Sequence, residues 1–147
     1  MQFKQLHPNF QLPTQGSDAA GGYDLYMPTA GVVKEYDVEF PDTTHTMVDL
    51  GFAAAVPEGY VALILPRSGA GAKFGFELRN TCGVIDADYR GPWKVAVAQV
   101  EGNELSWSAG ERLFQFIVVP AHTIKPVLVD ELSVTDRGAG GFGSSGK

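Results

Sequence analysis

Cysteine is nearly missing from this chain of 147 residues, with Cys82 standing alone. That excludes an intrachain disulfide and any Cys-x-x-Cys zinc knuckle and leaves a buried thiol as the plain expectation. Histidine is scarce too. His7, His45 and His122 lie far apart without ligand spacing, so each is read as an ordinary surface or core residue rather than a zinc ligand. Long apolar runs are absent: the longest, Tyr60 to Leu65, falls far short of the ~20 residues of a membrane helix, and Met1 to Pro13 lacks the apolar centre of a secretory signal. A soluble, cytoplasmic protein with no membrane partner is expected. Positive charge is in deficit, 11 Lys+Arg against 17 Asp+Glu for a net −6. Nonspecific binding to duplex nucleic acid is thereby excluded, because it requires a basic face. Any polyanion bound here must be met by a metal ion and a few local cations.

Helical periodicity is the next absence. Eighteen glycines and nine prolines cut the chain into short pieces, few of which sustain a 3.6-residue period over three turns. What remains alternates. Tyr36, Val38 and Phe40 interleave with Asp37 and Glu39, Trp93, Val95 and Val97 flank Lys94, and Leu105 and Trp107 flank Ser106, each placing apolar side chains on one face of an extended segment. Val48 to Val56, Tyr60 to Leu65, Leu113 to Val119 and Val127 to Val129 read as more deeply buried strands, with turns at Pro57-Glu58-Gly59, Pro41-Asp42 and Glu101-Gly102-Asn103. Many short strands between turns make an all-β fold, a sandwich or barrel with a jelly roll among the candidates. Only Ser68 to Phe74 suggests a helix; Ser68 can serve as N-cap, and two internal glycines hold it to a turn or two. The length is that of one domain, which buries roughly 68–70% of its unfolded surface without staples.

The composition changes once. Of the ten residues Gly138 to Lys147, five are glycine, and Phe142 is the only large apolar one. Such a segment is expected to stay mobile until something binds it. It contains lookalikes of a dinucleotide fingerprint and of a P-loop, but both need a helix behind the glycines to supply amides and dipole to phosphate, and the chain ends first. An anion-binding nest helped by Arg137, Ser144, Ser145 and Lys147 survives beside the plain reading of a loose terminus. Elsewhere, Gly83 to Gly91 runs two apolar residues into Asp86, Asp88 and Tyr89. The carboxylates are either turn formers or an acid held at a rigid strand end facing a pocket. Pro66-Arg67-Ser68-Gly69 is either a capped turn or a phosphate clamp of guanidinium, hydroxyl and free amides.

Five segments in this order resemble the trimeric deoxyuridine triphosphatase (dUTPase) family: Ala20-Gly21-Gly22-Tyr23-Asp24-Leu25, Pro66-Arg67-Ser68-Gly69, Gly83 to Gly91, Gly110-Glu111-Arg112-Leu113-Phe114-Gln115, and Arg137 to Gly146. The resemblance implies a jelly-roll-like distorted barrel with one short helix spanning residues 1–136, and a flexible arm, 137–147, that closes over the site. It also implies a homotrimer with active sites shared between subunits, and hydrolysis of dUTP to dUMP and pyrophosphate with Mg2+, limiting dUTP and supplying dUMP for thymidylate synthesis. By the same resemblance Asp86 is the catalytic carboxylate that orients water toward the α-phosphorus. Arg67, Ser68 and Gly69 hold phosphates, Gln115 contacts the α-phosphate region, and Asp24 supports the metal's water shell. Tyr89 packs on the deoxyribose, Asn80 and the backbone of Gly83, Val84 and Ile85 read the uracil edge, Phe142 stacks on the base, and Arg137, Gly143 and Ser144 meet the outer phosphates.

Departures from the family pattern are few: Gly21 where alanine is frequent, Phe74 where histidine is, and Phe114 where a small residue is usual, which bears on packing near Gln115. A deaminase of dCTP shares the expected fold, but its catalytic glutamate would fall at Ala96 here. A noncatalytic, structural or regulatory jelly-roll trimer is the other alternative, one that gives Asp86, Tyr89, Gln115 and Phe142 no reason to coexist.

Overall fold

A computed structural model describes residues 1–33, 45–99 and 105–141. Among them the elements are β1 (Gln2–Gln5), β2 (Thr14–Gln15), β3 (Tyr23–Tyr26), β4 (Gly31–Val33), β5 (His45–Ala55), β6 (Tyr60–Pro66), α1 (Ser68–Phe74), β7 (Phe76–Leu78), β8 (Gly83–Ile85), β9 (Pro92–Gln99), β10 (Leu105–Trp107) and β11 (Arg112–Pro120). They pair antiparallel into a five-stranded sheet, β2-β3-β11-β6-β8, a four-stranded sheet, β1-β5-β9-β7, and a small pair, β10-β4. Strands adjacent in space are mostly distant in sequence, so this is an all-β fold with one short helix whose connections cross between sheets.

The alternation read from the sequence is what makes the two larger sheets face each other. Trp93, Val95 and Val97 of β9 are buried while Lys94 is exposed, and Trp107 is buried beside exposed Ser106. Phe52 packs on Trp93 within one sheet, and Trp93 meets Phe116 of the other, the Trp93 and Phe116 rings edge to face at 5.4 Å, a favoured aromatic geometry. Full burial of each such ring contributes roughly 2–3 kcal/mol. Phe114 is likewise fully buried, so the large side chain at this position fills the core and leaves the neighbouring Gln115 to point elsewhere. The turn at Pro57 to Gly59 is present, closed by the Tyr60 amide donating to Pro57 O at 3.2 Å, with Gly59 at φ 79°, a conformation that favours glycine.

Three expectations fail. Val127 to Val129 form no strand, and Leu128 is 99% exposed; Pro126 lacks an amide proton, and no neighbouring strand among the described residues offers this segment a ladder. Ser68 is not the N-cap: α1 already includes it, Arg67 is the capping residue with extended backbone, and no side chain caps the end. Cys82 is half-buried rather than buried. The alternating segment Tyr36 to Phe40, the turns at Pro41-Asp42 and at 101–103, and arm residues 142–147 lie outside the described residues.

Candidate active site

The strand register assembles the first cluster. β11 is central, with Gln115 opposite Asp24 of β3 on one side and Leu65 of β6 on the other. The chain leaving β6 is tied back by the Arg67 amide donating to Leu113 O at 2.8 Å. A register shift between Arg112 and Phe114 inserts a bulge, the usual device for re-aiming a side chain at a sheet end. Arg67 Nε lies 2.8 Å from Asp24 Oδ1, and Arg112 Nη1 lies 3.1 Å from Asp24 Oδ2. Asp24, only 7% exposed, is the one buried charged residue among those described. One carboxylate therefore anchors two guanidiniums, each using only part of its five donors. Arg67 Nη1 also donates to Arg112 O at 3.0 Å, and the Arg112 guanidinium sits 6.0 Å from the centre of the Tyr26 ring. Gln115 is half-buried, and its Nε2 reaches Pro66 O only at 3.4 Å. A Cβ at Gly22 would approach Gln115 Oε1 to 2.8 Å, so the glycine makes room for that amide. Exposed Ser68 and half-buried Gly69 follow Arg67. Arg67, Gly69 and Arg112 line a cleft of about 500 Å³.

The second cluster stands on β8 and the turn after it. Val84, Ile85, Asp86 and Tyr89 line a cleft of about 270 Å³ with Met47, Pro92 and Lys94. Asp86 is exposed. The turn is closed by the Tyr89 amide donating to Asp86 O at 3.2 Å, and the Tyr89 hydroxyl donates to Pro92 O at 3.1 Å. A Cβ at Gly91 would run into that hydroxyl. Asn80 is exposed on the link between β7 and β8, and Gly83 lies opposite Ile64.

These two clusters do not meet within one chain. Ile85 pairs with Ala62 on antiparallel β6, which puts Asp86 level with Val61, six residues from Arg67. At about 3.3 Å per residue the separation is ~20 Å. Arg137, at the start of the arm, donates from Nε to its own Gly140 O at 2.9 Å, while Phe142, Gly143 and Ser144 lie outside the described residues. Two residues went unassigned in the sequence. Arg112 lies inside the fourth quoted segment, but nothing in the spacing says that a bulge turns it toward Asp24; Lys94 was read only as the polar member of an alternating strand. No group of three or more His, Cys, Asp or Glu suited to a metal ion exists among the described residues.

Paired guanidiniums at a sheet end, with an exposed carboxylate and aromatic ring on a second cleft, define an all-β protein equipped to handle a phosphorylated ligand. The dUTPase family profile matches residues 8–146, and the chain belongs to that family. Deoxyuridine 5'-triphosphate nucleotidohydrolase of Wolinella succinogenes is 38% identical over 97% of this chain and 91% of its own length. The Staphylococcus bacteriophage 80alpha dUTPase, solved with dUPNHPP, superposes with a TM-score of 0.84 at 26% identity over 99% of this chain and 98% of that one. A mutant dUTPase of phage phi11 of S. aureus, whose structure details coordination of a structural Mg(II) ion, superposes with a TM-score of 0.77 at 21% identity over 90% of this chain and 98% of that one. No helix of the described residues is long and apolar enough to cross a membrane.

Proposed function

We propose that this chain hydrolyses dUTP to dUMP and pyrophosphate by attack of water on the α-phosphorus, acting as a dUTP diphosphatase. The observation that carries this reading is the guanidinium pair that Asp24 fixes beside Gln115, in a chain of the dUTPase family. Phosphoryl transfer is catalysed mainly by positioning and charge neutralisation. Arg67 and Arg112 meet both needs with their unused donors, and Ser68, Gly69 and Gln115 add neutral ones. Asp86 orients the attacking water and takes up its proton as the bond to phosphorus forms, since a carboxylate is too weak a base to ionise water beforehand. Tyr89, held by its hydroxyl and seated on Gly91, presents a fixed ring to the deoxyribose and leaves no room for a 2′-hydroxyl. Asn80 and the backbone from Gly83 to Ile85 read the uracil edge, where a cytosine amide would leave buried groups unpaired.

The ~20 Å between Asp86 and Arg67 supports a site built from more than one copy of the chain. So does the exposed run of Ile124, Val127, Leu128, Val129, Leu132 and Val134, an apolar face that a subunit alone would leave in water. A homotrimer sharing its sites accounts for both. The donor set fits Mg2+ in one way only. Asp24 already accepts from two arginines and so would hold no bare ion; its remaining lone pairs would accept hydrogen bonds from the water shell of Mg2+ bound with the nucleotide, and Glu111 lines the same cleft. When bound, Mg2+ would supply charge neutralisation of the phosphates. The arm, residues 137–147, closes over the occupied site, Phe142 stacking on the base while Arg137, Gly143 and Ser144 meet the outer phosphates and exclude water. Incubation with dUTP, dCTP, dTTP and UTP plus Mg2+ tests the reading. Pyrophosphate is expected from dUTP alone, and ammonia from dCTP would replace it with deamination.

A further inference from the structure

Arg90 is absorbed by neither the phosphate cluster nor the nucleoside cleft, yet it makes the shortest side-chain hydrogen bond of the turn it belongs to. Its Nη1 donates to Ala87 O at 2.6 Å and to Tyr89 O at 2.9 Å. Both are short, exposed contacts in which a charged donor meets a neutral carbonyl. The turn has little else to hold it. Its one backbone bond, Tyr89 amide to Asp86 O, is long at 3.2 Å; Asp86, Asp88 and Arg90 are exposed, and Tyr89 is held at its ring end, by its hydroxyl on Pro92 O and its seat on Gly91; and the ladder of β8 has ended at Ile85. No carboxylate pairs with Arg90 among the described residues, so its charge is spent on peptide carbonyls.

We infer that Arg90 is a positioning residue, bridging the Ala87 and Tyr89 carbonyls so that Asp86 and Tyr89 are presented in one fixed relation. The bridge spans the residues between the carboxylate and the ring. Its loss frees the backbone that sets where each points, while the Tyr89 hydroxyl remains tied to Pro92 on the far side. The turn then pivots at Asp86, and both the water-orienting geometry and the sugar-excluding ring drift together. This inference rests on the roles given to Asp86 and Tyr89 above.

The test compares wild type, Arg90→Ala, Arg90→Lys and Asp86→Asn as full-length protein, measuring kcat and KM for dUTP, kcat/KM for UTP, and Tm at one protomer concentration. In Arg90→Ala, kcat for dUTP is expected to fall about 10- to 100-fold, the loss usual for removing a group that orients a reacting one. The preference for dUTP over UTP should shrink in parallel, with Tm within a few degrees of wild type. Arg90→Lys should recover part of both, because a single nitrogen makes both bonds and lysine reaches one atom less far. Wild-type kcat and selectivity in Arg90→Ala overturn the inference, as does a kcat loss that follows Tm with selectivity intact. Asp86→Asn separates the two layers: if it retains full turnover the underlying site assignment fails, and if it is inactive while Arg90→Ala is normal only the role of Arg90 fails.

Discussion

Replacing Asp24 by Asn removes the charge from the group on which the cation cluster turns while keeping its shape. Two guanidiniums lie 2.8 and 3.1 Å from its oxygens. At an effective dielectric of about 20 a unit pair near 4 Å is worth ~4 kcal/mol, but the arginine side chains are 35% and 44% exposed, and water screening reduces each pair to about 1 kcal/mol. Asn also turns an amide N–H toward one arginine and leaves two positive groups side by side, so the single variant should lose about 2–3 kcal/mol. At roughly 2–4 °C per kcal/mol for a chain of this size, Tm should fall by about 5–10 °C at fixed protomer concentration. The sharper assay is a cycle of Asp24→Asn, Arg112→Gln and the double variant in denaturant melts. A coupling of about 1 kcal/mol is expected, and KM for dUTP should rise in Asp24→Asn as Arg67 loses its anchor. Additivity within about 0.3 kcal/mol would show that the contact is geometric only and refute the reasoning.

Asp86→Asn should abolish turnover and leave binding of a nonhydrolysable dUTP analogue within a few-fold; near-normal turnover in a discontinuous pyrophosphate assay removes Asp86 from the mechanism. Deleting residues 138–147 should leave a folded oligomer whose turnover is lower by orders of magnitude, whereas an unaffected rate would show that the arm plays no part in closure. Leu128→Asp places a charge on a side chain that is 99% exposed in the isolated subunit. It should lower the sedimentation-derived mass from trimer toward monomer and reduce activity with it, and an intact trimer would mean that this segment is not an intersubunit contact.

The sheets were legible because burial of one face imposes a period of two, and Trp93, Val95, Val97 and Trp107 kept to it. Val127 to Val129 misled because three apolar residues in a row suit a buried strand only where a neighbouring strand offers a ladder, and none among the described residues does. Ser68 misled because capping preference is a local rule, whereas here the tie between the Arg67 amide and Leu113 O fixes where the extended chain ends and lets the helix begin a residue earlier. Within the site, Asp24, Arg67 and Gln115 were named from separate segments, and the strand order β3-β11-β6 is what brings them together. Arg112 could not be read in the same way. Its direction depends on a bulge, a difference of one residue in register that reverses which face a side chain takes.

The same rigidity that fixes each cluster keeps the two apart. β6 carries Arg67 beyond one end, while the paired β8 delivers Asp86 near the other. Antiparallel pairing forces this, since following β8 toward Asp86 means following β6 away from Arg67. Closing ~20 Å within one subunit would require breaking the ladder that seats Ile64, which is fully buried. A site shared between copies related by rotational symmetry would need no such break. In the homotrimer proposed above each copy would offer its cation cluster to one neighbour and its carboxylate to another, so that no subunit need deform and each site would draw on two rigid halves. The acidic net charge of the chain would then not oppose binding of a triphosphate, because the charge that matters is local: on one half-site two guanidiniums share the single carboxylate of Asp24 and stay net positive, while Asp86 stands on the other.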